Sequence, residues 1–194
     1  MMNYIFLDIE TVPLDITHES IKEYFMDNKI TKESRAFNPN YSKIINICVK
    51  KIDEEEKTFS GDDEAELLEN FLKFIDENKN SVFITYNGYG FDVPFLNVRL
   101  ALNKLNMPIV INTNKWNMEK SNHFDVMLFL SQNGTFTNTR LDVVARMHGV
   151  DFQGERTLGK DIEKHYKLND WDFINSHCKQ DVEILEGLFK RIFI

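Results

Sequence analysis

Three strand-like segments joined by short connections precede the first long helical pattern, and this order constrains the fold more than any other feature. Asn3 to Ile9 is apolar and β-prone and reads as a buried strand. Lys43 to Ile52 reads as a second strand, the acidic run Asp53-Glu54-Glu55-Glu56 as a turn, and Lys57 to Ser60 as a third strand returning beside the second. Connections this short imply an antiparallel meander. Between the first two strands, residues 13–42 are polar and irregular, with a short helix around Ile21 to Met26. Asp62 or Asp63 then caps a helix carrying Leu67, Leu68, Phe71, Leu72 and Ile75 at helical spacing. Val82 to Tyr86 reads as a fourth strand. It is followed by the loop Asn87-Gly88-Tyr89-Gly90 and by a helix from Asp92 to about Asn106, with Pro94 in its first turn, where proline is tolerated.

The second half is mostly helical: Asp125 to Leu130, Leu141 to His148, Leu158 to Tyr166, and a long closing helix from about Trp171 to Ile192. A short strand fits either at Ile109–Ile111 or at His123–Asp125. Strands, then helix, strand and helix, then further helices make an α/β plan with a mixed sheet. No repeat or linker divides the chain of 194 residues, so residues 1–194 are expected to form one domain. Net charge is −8, which excludes a bulk electrostatic binder of nucleic acid but leaves room for a local basic groove. Two cysteines, Cys48 and Cys178, cannot build a disulfide framework and form no zinc-type pair. The N-terminus lacks a basic region ahead of its apolar run, and no stretch has the length of a membrane span, so a cytoplasmic setting is expected.

Three short segments carry chemistry. In Asp8-Ile9-Glu10, strand alternation puts both carboxylates on one face. Either the strand ends near Asp8 and both are solvated, or they stand side by side and repel unless a hard divalent cation lies between them. In Asn87-Gly88-Tyr89-Gly90-Phe91-Asp92, Asp92 either caps the helix or brings a third carboxylate to the first two, and the glycines either turn the loop or let a ligand approach the backbone. In His177-Cys178-Lys179-Gln180-Asp181, His177 and Asp181 lie four apart on one helical row that continues through Ile184 and Leu188. The bland alternative is an exposed helical pair. A Cys–His nucleophile is disfavoured, because adjacent helical residues point about 100° apart.

The segments FLDIET, YNGYGFD and HCKQD, in this order, resemble the three exonuclease motifs of DEDD-type (DnaQ-like) 3′–5′ exonucleases, above all stand-alone relatives of the family B DNA polymerase proofreading domain. The resemblance covers residues 4 to about 190. It implies a ribonuclease-H-like mixed sheet, an antiparallel three-strand meander plus parallel strands, flanked by helices. It also implies that Asp8, Glu10, Asp92 and Asp181 are ligands of two Mg²⁺ or Mn²⁺ ions, and that single-stranded DNA or RNA 3′ ends are the substrate. His177 departs from the pattern, having the residue type of one branch and the spacing of the tyrosine branch, and is placed with the catalytic set as the group that prepares water. Thr11, Asn87, Tyr89 and Phe91 are nucleic-acid-binding candidates; the aromatics could stack on terminal bases, although with 16 phenylalanines core packing competes for each. Asp125 resembles a further family aspartate and is read as a helix cap, outside the ligand set. The chain carries no polymerase domain, so proofreading would require a replication or repair partner. The competing functions are a ribonuclease-H-like endonuclease on hybrid or branched substrates and a catalytically silent nucleic-acid-binding module. Arg140, Arg146, Arg156, Lys160, Lys164 and Lys167 form either a phosphate-binding edge or a mixed surface, and the acids from Asp62 to Glu66 are expected to be a solvated helix start.

Overall fold

A computed structural model describes residues 3–114, 121–152 and 161–194. Five strands form one sheet in the order β3-β2-β1-β4-β5: β1 (Tyr4–Pro13), β2 (Ser42–Lys51), β3 (Glu56–Ser60), β4 (Val82–Thr85) and β5 (His123–Asp125). The first three are the antiparallel meander; β4 lies parallel to β1, and β5 parallel to β4. This is the mixed sheet that the segment order implied, in the ribonuclease-H-like arrangement that the resemblance implied. Of the two positions open for a short strand, His123–Asp125 is the one used.

Strand alternation divides the core between two faces. Ile5, Leu7 and Ile9 pack with Phe59 against α3 (Glu64–Glu77) and α4 (Asp92–Leu102). Phe6, Cys48 and Ile84 pack on the opposite face against α8 (Trp171–Phe193), whose stripe contributes Cys178, Val182, Leu185 and Phe189. Phe6, Asp8 and Glu10 share parity, so the same alternation that buries Phe6 under α8 aims both acids at that helix. A register shift between Glu10 and Thr11 leaves Ile45 as the extra residue of β2, a β-bulge just beyond Glu10. Ile45 and Val12 then pack with Ile162 of α7 (Ile162–Lys167) and Ile174 of α8.

The remaining helices are α1 (Glu19–Asp27), α2 (Lys32–Arg35), α5 (Val126–Leu130) and α6 (Leu141–Met147). Several expected boundaries move. The first strand runs on to Pro13 because residues beyond Asp8 keep pairing with β2, from Ile9↔Ile47 to Pro13↔Ser42. The helix after Pro94 stops at Leu102, where Lys104 takes a positive φ of 59°. The helix expected from Leu158 begins, within the described residues, at Ile162; positions 158–160 lie outside them. The acids at the start of α3 are not all solvated. Asp63 caps the helix through Ala65 and Glu66, but Glu64 is buried, accepts from the Ile44 amide at 2.7 Å and pairs with Arg99, whose Nε donates at 2.9 Å. Among the described residues, no helix is long and apolar enough to cross a membrane.

Candidate active site

β1 has 10 residues and its parallel neighbour β4 only 4, with Phe6 level with Ile84. β1 therefore outruns β4, and Asp8 and Glu10 stand beyond its carboxyl end, where the sheet opens. Open α/β sheets commonly place ligands at this kind of position. The acids are not a solvated strand end: β1 continues past them and Glu10 is only 8% exposed.

α8 crosses above and supplies one partner to each acid. His177 Nδ1 lies 2.6 Å from Glu10 Oε1. Cys178 Sγ lies 3.4 Å from Asp8 Oδ2 and 3.5 Å from the Asp8 carbonyl oxygen. The angle between neighbouring helical residues, which disfavours a Cys–His nucleophile, instead sends the two side chains to different carboxylates. Asp181, one turn on from His177, completes a cluster in which ligand atoms of Glu10, His177 and Asp181 all lie within 4.8 Å of one another; Asp8, Glu10 and Cys178 form a second such cluster. His177 and Asp181 are 6% and 3% exposed, so they are not an exposed helical pair.

Asp92 is not the cap of α4. Phe91 holds the cap position without a side-chain hydrogen bond, and Asp92 is the first helical residue, 3% exposed. Burial, with the carboxylates of Asp125 and Glu10 adding to it, pushes Asp92 up to about 8. It belongs to neither close cluster, but it feels the charge of Glu10. Glu10 thus joins two groups, one with His177 and Asp181 and one with Asp8 and Cys178, and Asp92 feels its charge. Crowded, buried oxygen donors of this kind suit a hard divalent cation, which would remove the repulsion among them.

The loop before Asp92 is held from below by Asp125. One carboxylate oxygen accepts from the Asn87 amide at 3.0 Å and the Leu128 amide at 3.1 Å; the other accepts from the Tyr89 amide at 3.0 Å. Asp125 therefore caps α5 and also fixes the loop. Gly88 is needed for a packing reason: a Cβ there would lie 2.1 Å from Thr85 Oγ1. That accounts for the glycine without any approaching ligand. Tyr89 is turned inward, stacked on His123 with ring centroids 4.2 Å apart, its hydroxyl 3.0 Å from the His123 carbonyl. Burial holds the His123 imidazole below its ordinary range. Asn87 sits in the left-handed region at φ 72°, its side chain folded against Gly90. Phe95 is a core residue, whereas Phe91 is half-buried and meets Phe37 edge-on at 5.9 Å. Phe91, Thr11, Glu10 and Phe37 line a small cavity of about 130 Å³. Phe37 is 70% exposed and lies in the segment read as irregular, where no periodicity marks it. Thr11 Oγ1 holds it in place indirectly, donating to the Ala36 carbonyl at 2.8 Å. Of the basic residues, Arg140 pairs with Asp142, Lys167 with Glu163, and Arg156 and Lys160 lie outside the described residues.

Residues 35–185 match a family described as predicted 3′–5′ exonucleases related to the exonuclease domain of PolB. The chain belongs to this family. The match leaves out the first motif, so Asp8 and Glu10 rest on the geometry above and on their resemblance. The family B DNA polymerase of the hyperthermophilic archaeon Pyrobaculum calidifontis shares the fold, with a TM-score of 0.74 and 18% identity over 99% of this chain and 24% of the polymerase. The catalytic subunit of DNA polymerase epsilon from Schizosaccharomyces pombe is 47% identical over 49 residues, 25% of this chain and 2% of that much longer protein. The chain thus spans only a small part of either relative.

Proposed function

We propose that residues 1–194 act as one unit, a metal-dependent 3′–5′ exonuclease on single-stranded DNA or RNA ends that releases nucleoside 5′-monophosphates. The observation that carries this reading is the convergence of Asp8 and Glu10 from β1 with His177 and Asp181 from α8, beside the buried Asp92. A structural role alone gives no reason to bury so many like charges together.

Asp8, Glu10, Asp92 and Asp181 would hold two Mg²⁺ or Mn²⁺ ions, which supply activation of the attacking water and stabilisation of the leaving oxygen when bound. The protein's own groups do the rest. Glu10 fixes the His177 ring, and a tautomer donating from Nδ1 leaves the acceptor lone pair on Nε2. His177 takes the proton of the water as its oxygen bonds to phosphorus. The bond from phosphorus to the 3′ oxygen of the shortened strand breaks in line, that oxygen takes a proton from solvent water and leaves as a hydroxyl, the terminal nucleotide leaves with its 5′ phosphate, and His177 returns its proton to solvent. Phe91 and Thr11 border Glu10 and receive the terminal nucleotide, with the exposed ring of Phe37 extending the stacking surface. Tyr89, already stacked on His123, supports the loop and makes no base contact.

A circular single strand tests the direction of attack. An exonuclease leaves it intact and degrades the linear form of the same sequence; cleavage of the circle would establish an endonuclease. Binding of either form without cleavage in Mn²⁺ would make the chain a silent binding module.

A further inference from the structure

Asp8 has a second neighbour that the exonuclease reading does not use. Cys178 is fully buried, and its Sγ is within hydrogen-bonding distance of both the carboxylate and the carbonyl oxygen of Asp8. Cys48, also fully buried, is the register partner of Asp8 on β2 and packs in the same cluster as Cys178. The next residue in the same row is Thr58 on β3, whose Oγ1 approaches Cys48 Sγ at 3.9 Å. A hydroxyl and two thiols therefore run in a file toward one carboxylate, beneath α8. A thiol S–H is a donor and an ionised carboxylate is acceptor-only, so the short Sγ–Oδ2 approach reads as donation from Cys178 to Asp8.

We propose that Cys178 is a positioning residue for Asp8: its S–H donates to the carboxylate and fixes the orientation in which Asp8 meets the metal. This rests on the reading of Asp8 as a metal ligand. The two contacts come from one dipeptide, His177 meeting Glu10 and Cys178 meeting Asp8. Partners that hold a ligating carboxylate typically change metal affinity by about 10–100-fold when removed.

Serine and alanine at this position differ by one hydroxyl, so the pair separates donation from packing. Mn²⁺ affinity is measured by electron paramagnetic resonance on the whole chain, with thermal melts to confirm folding. Cys178→Ser should bind within about 5-fold of the unmodified protein and Cys178→Ala at least about 10-fold more weakly. Equal affinities for the two variants would overturn the proposal. Should Cys178→Ala fail to fold, Cys178→Val fills the volume without a donor and takes its place. The infrared S–H stretch gives a readout that needs no metal. In a Cys48→Ala background only Cys178 remains, and its band should move to higher frequency when Asp8→Asn is added. An unmoved band overturns the proposal even if Mn²⁺ binding is normal. Failure of the unmodified protein to bind Mn²⁺, with the band moving as expected, would refute the metal site and leave only the hydrogen bond. A Cd²⁺ charge-transfer absorption lost in Cys178→Ser would make the thiol a ligand and overturn the positioning role.

Discussion

Asp92 makes the metal-free protein sensitive to alkali. Its carboxyl is raised from 3.8 to about 8 by burial and by the charges of Asp125 and Glu10. An unfolded Asp92 is ionised above about pH 4, whereas the folded protein holds the proton until about pH 8. The folded state therefore binds more protons in this window, and stability falls as pH rises across it. Between pH 5 and pH 8 this window is three pH units wide, so the loss is at most about 4 kcal/mol at about 1.4 kcal/mol per unit, and relaxation around the ionised group lowers it to roughly 2–4 kcal/mol. Urea unfolding with chelator at pH 5 and pH 8 measures it, with Asp92→Asn subtracting contributions from every other group. The unmodified protein should lose several kcal/mol more than Asp92→Asn between the two conditions. Mn²⁺ should remove most of the loss at pH 8, since it stabilises the ionised form. A difference below about 1 kcal/mol between the two proteins would refute the reasoning.

Four further outcomes follow from particular contacts. Glu64→Ala strands the Arg99 guanidinium and the Ile44 amide inside the protein and should cost about 3–5 kcal/mol in urea unfolding. Asp125→Ala removes the acceptor of three backbone amides at once and should cost about 3 kcal/mol or more, with faster amide hydrogen exchange at Asn87 and Tyr89. Gly88→Ala should destabilise by about 1–3 kcal/mol, and Thr85→Ala should not rescue it, because the added Cβ also lies 2.4 Å from the Thr85 Cβ. Tyr89→Phe should leave oligonucleotide affinity within about twofold, while Phe91→Ala and Phe37→Ala each weaken it by about 1 kcal/mol or more in fluorescence anisotropy.

The elements that place the site follow simple periodicities, and these were legible. Alternation around Asp8-Ile9-Glu10 and the three-and-four spacing of Ile174, Cys178, Val182 and Leu185 orient β1 and α8 without further information. What the sequence could not reveal depends on contacts between distant segments. Nothing near Asp8 announces that Cys178 lies beneath it, because that contact spans 170 positions. Glu64 resembles any acid at a helix start until Arg99, 35 residues away, meets it in the interior. Gly88 suggests ligand approach, but its neighbour is Thr85 of the preceding strand. Tyr89 suggests stacking on a base, and its ring is already stacked on His123. Phe37 carries no such signal, because an irregular segment gives no period from which exposure can be inferred.

The central claim is that the acids converging on β1 and α8 cleave phosphodiester bonds from the 3′ end. Digestion of 5′-labelled single-stranded DNA and RNA in Mn²⁺, Mg²⁺ or chelator, beside Asp8→Ala and Asp181→Ala, tests it most directly. The account predicts a ladder shortening from the 3′ end in metal, absent with chelator and in both variants. Intact substrate in every lane with folded protein, or an unchanged ladder in the variants, would contradict it.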